Sequence, residues 1–421
     1  MSKGAKGEKS LKRIIKNEKI NEDKKITYEG ALEINKHVKT EFNGKTEICK
    51  ILECRLLPTY DDKQKKDEYS YEYYVHFIEY NRRNDRWIQR SSIIIDDKAI
   101  EEALKLKEIT EKEKEQNPSN NPFENDDHEG LDKNCLIQHE EATKVKTITE
   151  IQFGKHSCEI WYFSPYPEGY HCHTLHICEF CLNFYVEVDE LNRHMTLCNL
   201  RHPPGNEIYR DGNISMFEVD GKLEQIYCEN LCYMSKLFLD HKTLQWDVEP
   251  FLFYILCEYD KYGFHFVGYF SKEKESSQGY NLACILVLPF HQRKGYGKFL
   301  IDFSFLLSIK EQKVGTPERP LSDLGFSTYF SFWTQKLCKI LINLEDEPIT
   351  INKLSEMTSF KPADILKVLT DLELLRYHDG QYIIICDKSI LERLYKKAGR
   401  PGYPLYPEKL LWTPYKFKYD L

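Results

Sequence analysis

The chain has no apolar run near the roughly 20 residues that a membrane helix needs. Stretches such as Phe251 to Leu256 are among its longest, so no helical span is expected. No apolar core follows the Lys-rich segment Met1 to Lys25, which excludes a secretory signal there and leaves a solvated basic arm. Positive charge is not in excess either. The net charge of −8 argues against a protein wrapped in DNA and suits a basic partner. Two nucleotide-binding patterns are also missing. There is no G-x-x-x-x-G-K-[ST] loop for a magnesium nucleoside triphosphate, and no three-glycine dinucleotide fingerprint with its acidic residue further on.

At 421 residues with 41% hydrophobic content, a soluble globular protein of two or three domains is expected. Its 14 cysteines without a signal peptide suggest a reducing compartment, where thiols serve as buried apolar groups, metal ligands or nucleophiles. After a basic arm over 1–30, residues 31–96 alternate apolar and polar positions, with Asn43-Gly44 marking a hairpin, and predict a small β-barrel. Residues 97–148 are rich in Glu, Lys, Asn and Pro and predict a disordered linker, with a short helix near Ile100 to Leu106. Residues 149–421 read as one large domain. Near its end, helical patterns over Asn352 to Met357 and Ala363 to Leu372 precede two strands joined at Asp379-Gly380, a helix-turn-helix with a wing. Its exposed face lacks a Lys/Arg cluster, which favours a structural lobe over DNA binding.

Ala283 to Leu288 reads as a strand, and Phe299 to Ser308 as a helix. Between them runs Gln292-Arg293-Lys294-Gly295-Tyr296-Gly297-Lys298. Such a junction aims backbone N–H groups and a positive helix end at one point, and the two glycines admit an anion close to the backbone. Two readings stand: a pyrophosphate cradle, or an ordinary strand-to-helix turn.

Cys178-x2-Cys181-x12-His194-x3-Cys198 has the pair-and-pair spacing that wraps a tetrahedral zinc ion, with His171, Cys172, His173 and His176 close by as competing ligands. Four good ligands close the sphere, so the zinc is expected to be structural. Arg193 is the only cation on the adjoining helix around Leu191 to Met195, which argues against base reading.

With these features in order, the chain resembles the MYST family of histone acetyltransferases. The resemblance is carried by Ile160-Trp161-Tyr162-Phe163-Ser164-Pro165, Cys178-Glu179-Phe180-Cys181-Leu182 and Pro203-Pro204-Gly205-Asn206-Glu207. It continues through Leu237-Phe238-Leu239-Asp240-His241-Lys242-Thr243-Leu244, Val248-Glu249-Pro250-Phe251, the glycine loop and Pro320-Leu321-Ser322-Asp323-Leu324-Gly325. The segment Tyr74 to Ile88 is similar to the chromo barrel of one branch, although Asn84 and Arg86 depart from its usual residues.

The resemblance implies an α+β fold: a GNAT-like acetyl-CoA-binding core over about 205–335, a C2HC zinc finger over about 171–200, and a helix-turn-helix (winged) lobe over about 336–415. A chromo-like barrel precedes them. It implies acetyl-CoA as co-substrate and the ε-amino group of histone lysines as acceptor, with histone H4 first and a second core histone as a further candidate. Backbone groups of Ile285, Leu286 and Val287 would contact the cofactor, as would the loop residues Gln292, Arg293, Lys294, Gly295, Tyr296, Gly297 and Lys298, together with Ser322 and Ser331. The implied general base is Glu318, in Gly315-Thr316-Pro317-Glu318-Arg319-Pro320, and the implied autoacetylated lysine is Lys236. Cys284 would either carry the acetyl group as a thioester or line the pocket while lysine attacks directly; the single base suffices for direct attack. Further implications are a nuclear location, nucleosomes and a multi-subunit chromatin complex as partners, and methyl-lysine or nucleic-acid contact through the barrel. Two rivals remain, a non-catalytic chromatin reader and an acetyltransferase for non-histone lysines.

Overall fold

The computed structural model describes residues 30–57, 67–116, 143–243, 247–344, 349–378 and 381–415. The basic arm up to residue 29, the linker over 117–142 and the turn Asp379-Gly380 lie outside them. The chain divides into two compact units, Met1–Gln116 and Asn117–Leu421.

In the first unit, β1 (His37–Phe42), β2 (Lys45–Leu56), β3 (Tyr71–Phe77), β4 (Arg86–Gln89) and β5 (Ile93–Ile94) form one antiparallel sheet in the order β4-β3-β2-β1-β5. Asn43 and Gly44 both have positive φ, as a two-residue hairpin turn requires, so β1 and β2 pair in register from Phe42 with Lys45. Alternate residues point inward and bury Val38, Cys49, Ile51, Tyr73, Val75 and Phe77. Tyr74 is also buried, on the opposite face of β3 from Tyr73 and Val75 and against Trp87 with 5.3 Å between ring centres, and the half-buried Tyr80 packs edge-on against Phe42. Trp87 is covered on one face by the Arg55 guanidinium, 4.1 Å from the ring centre.

The segment after β5 corrects the expected linker. A 20-residue helix, α1 (Asp97–Gln116), replaces the short helix near Ile100 to Leu106. Its polar composition reads as disorder in one dimension. In the fold, Ile100 is buried, and Lys107 pairs with Glu79 at 2.8 Å.

The second unit opens with β6 (Glu150–Phe153), β7 (His156–Glu159), β8 (Thr174–Ile177) and β9 (Phe184–Tyr185), in the sheet order β7-β6-β8-β9, followed by α2 (Val188–Leu197). The main sheet combines β10 (Asn206–Asp211), β11 (Ile214–Asp220), β12 (Phe251–Asp260), β13 (Gly263–Glu273) and β15 (Ile285–Val287), in that order; α3 (Gln225–Lys236) follows β11. A separate short pair joins β14 (Tyr280–Leu282) in parallel to β16 (Thr316–Pro317). The remaining elements are α4 (Tyr296–Lys310), α5 (Asp323–Ile342), α6 (Ile351–Thr358), α7 (Pro362–Asp371), the hairpin β17 (Leu375–His378) with β18 (Gln381–Ile384), and α8 (Lys388–Lys397).

Strand β12 shows how this sequence makes two cores from one sheet. It is apolar at consecutive positions, so both faces are buried. Phe253, Ile255 and Cys257 pack with Leu231 and Met234 of α3 and with Leu175 of β8. Leu252, Tyr254 and Leu256 face Phe299, Leu300 and Phe303 of α4. Helix α4 is apolar on nearly every side because the lobe of α5 to α8 covers its other face, with Trp333, Leu354, Ile365 and Leu369 in the same core. Each such fully buried side chain contributes about 1.5–3 kcal/mol. The helix-turn-helix with its wing is present as expected, and its inner face is structural core.

Candidate active site and metal centre

The metal centre is built on a knuckle between β8 and β9. Leu182, at φ +62, turns the chain so that its N–H donates to the Cys178 carbonyl at 2.9 Å. This brings Cys181 under Cys178. Across from them, α2 supplies His194 on its last turn and Cys198 as its C-cap, the Cys198 N–H donating to the His194 carbonyl at 2.7 Å. The ligand atoms of Cys178, Cys181, His194 and Cys198 all lie within 4.8 Å of one another, and Cys181 Sγ is 3.2 Å from His194 Nε2. With metal–ligand bonds of about 2.0–2.3 Å a tetrahedron has edges of about 3.3–3.8 Å, close to the Cys181–His194 spacing, and small side-chain shifts bring the other atoms to that distance. A hydrogen bond from the Cys181 thiol pulls the Cys178 thiol below its ordinary value, toward the thiolate form that zinc binds. The donor set of three thiols and one imidazole therefore fits a closed, structural zinc. None of His171, Cys172, His173 and His176 belongs to the cluster.

The glycine loop takes the form its sequence predicts. Strand β15 is the last in the sheet, paired only with β13, so its outer edge keeps backbone groups unpaired by any strand. Pro289–His291 then makes a short 3-10 turn, Arg293 has φ +63, and Gly295, at φ +98, is the N-cap of α4. The first N–H groups of α4, at Tyr296, Gly297 and Lys298, have no acceptor within the helix, which leaves its start able to receive an anion. Arg293 and Lys294 are exposed beside it. His291 adds no charge, since burial lowers its imidazole to about 4.

Several side chains of the residues expected to contact the cofactor also hold the loop and its surroundings together. The Gln292 amide donates to the Val287 carbonyl at 2.9 Å. The Tyr296 hydroxyl donates to Glu258. The Lys298 ammonium donates to Gln335 Oε1 at 2.8 Å and to the Arg400 carbonyl at 2.7 Å, and the Ser331 hydroxyl donates to the Ala398 carbonyl. Ser322 caps α5, its Oγ accepting from the Gly325 N–H at 3.1 Å. Segment 398–403 thus closes over the start of α4, where the Tyr403 N–H donates to the Gly295 carbonyl at 3.3 Å. Contacts from Lys298, Ser322 and Ser331 to a ligand would fall to their backbone or to lone pairs left free by these bonds.

Next to this loop, residues far apart in sequence converge. Cys284, half-buried between β14 and β15, is tied by its backbone to Ser271 of β13. The Lys242 ammonium donates to Cys284 Sγ at 3.8 Å. Burial alone would lower Lys242, but the surrounding Cys284, Tyr269 and Cys232 raise it, so it stays a cation. Cys232 remains a neutral thiol, pushed up to about 11 by burial. Glu318 follows β16, its N–H donating to the Leu282 carbonyl at 2.8 Å, two residues before Cys284. Although solvent reaches Glu318, the surrounding protein partly desolvates its carboxyl and raises its pKa; the charge of Glu273 adds to this and Lys242 opposes it. A partly desolvated carboxyl with raised affinity for protons is a group able to do acid–base chemistry.

One residue does not sit where the family pattern implies. Lys236 is fully buried at the end of α3, and its ammonium donates to the carbonyls of Asp240 at 2.7 Å and Leu239 at 3.2 Å. It pins the turn after α3 and has no surface for modification. The lysine beside Cys284 is Lys242, six residues on and in the next motif block, which sequence reasoning passed over.

Three family profiles match the chain: the MOZ/SAS family over residues 202–408, the MYST family zinc finger domain over 145–198, and the RNA binding activity-knot of a chromodomain over 32–95. The finger profile begins well before the expected 171 and takes in β6 and β7, which share its sheet. Histone acetyltransferase of the MYST family 2 from Arabidopsis thaliana is 50% identical over 381 residues, covering 89% of this chain and 83% of its own length. Putative MYST-like histone acetyltransferase 1 from Oryza sativa is 49% identical over 386 residues, covering 89% of this chain and 85% of its own. Histone acetyltransferase ESA1 from Saccharomyces cerevisiae is 41% identical over 383 residues, covering 81% and 86%. On these matches, and with the zinc knuckle in place, the chain belongs to the MYST family and is an acetyl-CoA-dependent acetyltransferase with a structural zinc finger.

Proposed function

We propose that this protein acetylates the ε-amino group of histone lysines in the nucleus, histone H4 first and a second core histone as a further acceptor, with Glu318 as general base. The observation that carries the mechanism is the Glu318 carboxyl with its raised pKa, hydrogen-bonded through its backbone to the strand that leads to Cys284. A lysine side chain reacts only when neutral, and removing its proton at pH 7 costs about 4–5 kcal/mol. Ionised Glu318 takes that proton. The freed lone pair attacks the thioester carbonyl, an amide C–N bond forms, the C–S bond breaks, and the second amine proton passes to the departing sulfur, so that coenzyme A leaves as the thiol. The start of α4, with Arg293 and Lys294, holds the pyrophosphate, and the open edge of β15 offers backbone groups to the pantetheine arm. Lys242 and Cys284 shape the surroundings of the thioester. Direct attack needs one base and no covalent intermediate, and Glu318 supplies it.

The names of the relatives support a histone acceptor, and the barrel supports a chromatin contact, with methyl-lysine or nucleic acid at the barrel; a multi-subunit chromatin complex as partner belongs to the same proposal. The test is acetyl transfer to histone octamers and nucleosomes by the parent chain and Glu318→Gln across pH. Loss of turnover with acetyl-CoA binding intact, and partial recovery at high pH, is expected. Bound acetyl-CoA with no transfer to any histone would overturn the acceptor assignment, and no binding would restore the reader alternative. Ping-pong kinetics or an acetyl-thioester trapped on Cys284 would replace direct attack.

A further inference from the structure

We propose that Asp364, on the helix-turn-helix lobe, is a positioning residue for Glu318; this rests on the reading of Glu318 as the base. Asp364 lies in the first turn of α7 and is 4% exposed. One carboxylate oxygen accepts from the Thr316 hydroxyl at 2.7 Å and the other from Arg319 Nη2 at 2.6 Å. Thr316 and Arg319 bracket Glu318, two residues before it and one after. A single carboxylate from another lobe therefore grips the base-bearing segment on both sides of the base. The backbone repeats the grip, since the Gly315 N–H donates to the Ser359 carbonyl at 2.8 Å and the Lys361 N–H donates to the Gly315 carbonyl at 3.2 Å. Glu318 itself is fixed to the end of β14 through Leu282. The segment is thus held between β14 and the lobe, and Asp364 is the side chain that sets its register.

A buried carboxylate is a poor way to gain stability, because removing it from water offsets what its partners return. Its value lies in direction: two charge-assisted bonds from one rigid carboxylate fix two points at once. Glu318 must reach the incoming ammonium at hydrogen-bond distance, and displacements near 1 Å at such a group can cost about 100-fold in rate. The lobe that resembles a DNA reader then has a catalytic purpose, holding the base.

The experiment uses the full chain. Asp364→Asn breaks the Arg319 pair, and Thr316→Val removes one bond at constant shape, whereas Thr316→Ser keeps it. Asp364→Asn and Thr316→Val should each lower kcat by about 10- to 100-fold, with KM for acetyl-CoA and the melting temperature little changed, and Thr316→Ser should resemble the parent. In a Glu318→Gln background, Asp364→Asn should change kcat by less than about two-fold, because independent sites multiply and a residue acting through Glu318 has nothing left to act on. An equal fold loss in both backgrounds, or a loss confined to KM, would overturn the proposal. If Asp364→Asn fails to fold, Thr316→Val and Thr316→Ser decide alone, and equal kcat in that pair would overturn it. Parental turnover in Glu318→Gln would instead remove the base assignment itself.

Discussion

Gly295 and Gly297 stand two residues apart, yet substitution should separate their roles cleanly. Gly295 sits at φ +98, and an added Cβ would lie 2.9 Å from the backbone nitrogen of Tyr403. Holding alanine there costs about 1–3 kcal/mol in backbone strain. The clash also pushes segment 402–403 away and weakens the Tyr403 to Gly295 hydrogen bond, worth about 0.5–1.5 kcal/mol. Gly295→Ala should therefore lose about 3 kcal/mol, a fall in melting temperature of about 6–12 °C. Gly297 has no positive φ and lies within the first turn of α4, where a Cβ meets only Thr328 Cγ2 at 3.5 Å, an ordinary contact. On stability alone Gly297→Ala should be neutral or slightly favourable, since alanine exceeds glycine in helix propensity by about 1 kcal/mol. If the start of α4 cradles a pyrophosphate, though, a methyl group there keeps the anion from the backbone. Losing one charge-assisted hydrogen bond of about 1.5–3 kcal/mol raises the Kd for acetyl-CoA about 10- to 150-fold. Calorimetric titration with acetyl-CoA, together with thermal unfolding, reads both effects. Parental affinity in Gly297→Ala would refute the cradle, and parental stability in Gly295→Ala would refute the strain argument.

Three further outcomes are expected. Chelation at neutral pH should remove about one zinc per chain and unfold the region of β6 to α2, followed by metal analysis and circular dichroism; purified protein without zinc would sink the assignment. Because the Glu318 pKa is raised above its ordinary 4.5 and only the ionised form is a base, turnover should fall on the acid side through that raised value, above pH 4.5, and Glu318→Gln should erase this limb from the kcat profile. Replacing Lys236 by Met strands two carbonyls and should cost about 2–4 kcal/mol in thermal stability, while mass spectrometry of protein acetylated in its folded state should find Lys236 unmodified; acetylation there would contradict its burial.

What was legible in the sequence depends on how far apart the cooperating residues lie. The zinc ligands fall within 21 positions, Cys178 to Cys198, and the cradle is a strand, a loop and a helix start in unbroken order. Local spacing carries both, so reading them needs no tertiary knowledge. The hairpin at Asn43-Gly44 is legible for the same reason, because its backbone conformation is a property of the two residues themselves. Helix α1 was under-read because its order comes from a few anchors, Ile100 and the Lys107–Glu79 pair, set in a sequence whose average composition resembles disorder.

The lysines show the boundary most sharply. Lys236 and Lys242 lie in neighbouring motif blocks, and nothing in their spacing tells a buried strut from an active-site cation. The difference arises because α3 ends at Lys236, whose side chain is then long enough to satisfy the carbonyls of the following turn, while the next residues carry Lys242 across to β15's neighbour Cys284. Asp364 is further still from legibility, 46 positions after Glu318 and on a different lobe. A one-dimensional pattern identifies groups able to do chemistry. The aim of each group is decided by which segments the two cores on either side of β12 bring together, and here the core that joins the sheet to the helix-turn-helix lobe also brings Asp364 to the segment that carries Glu318.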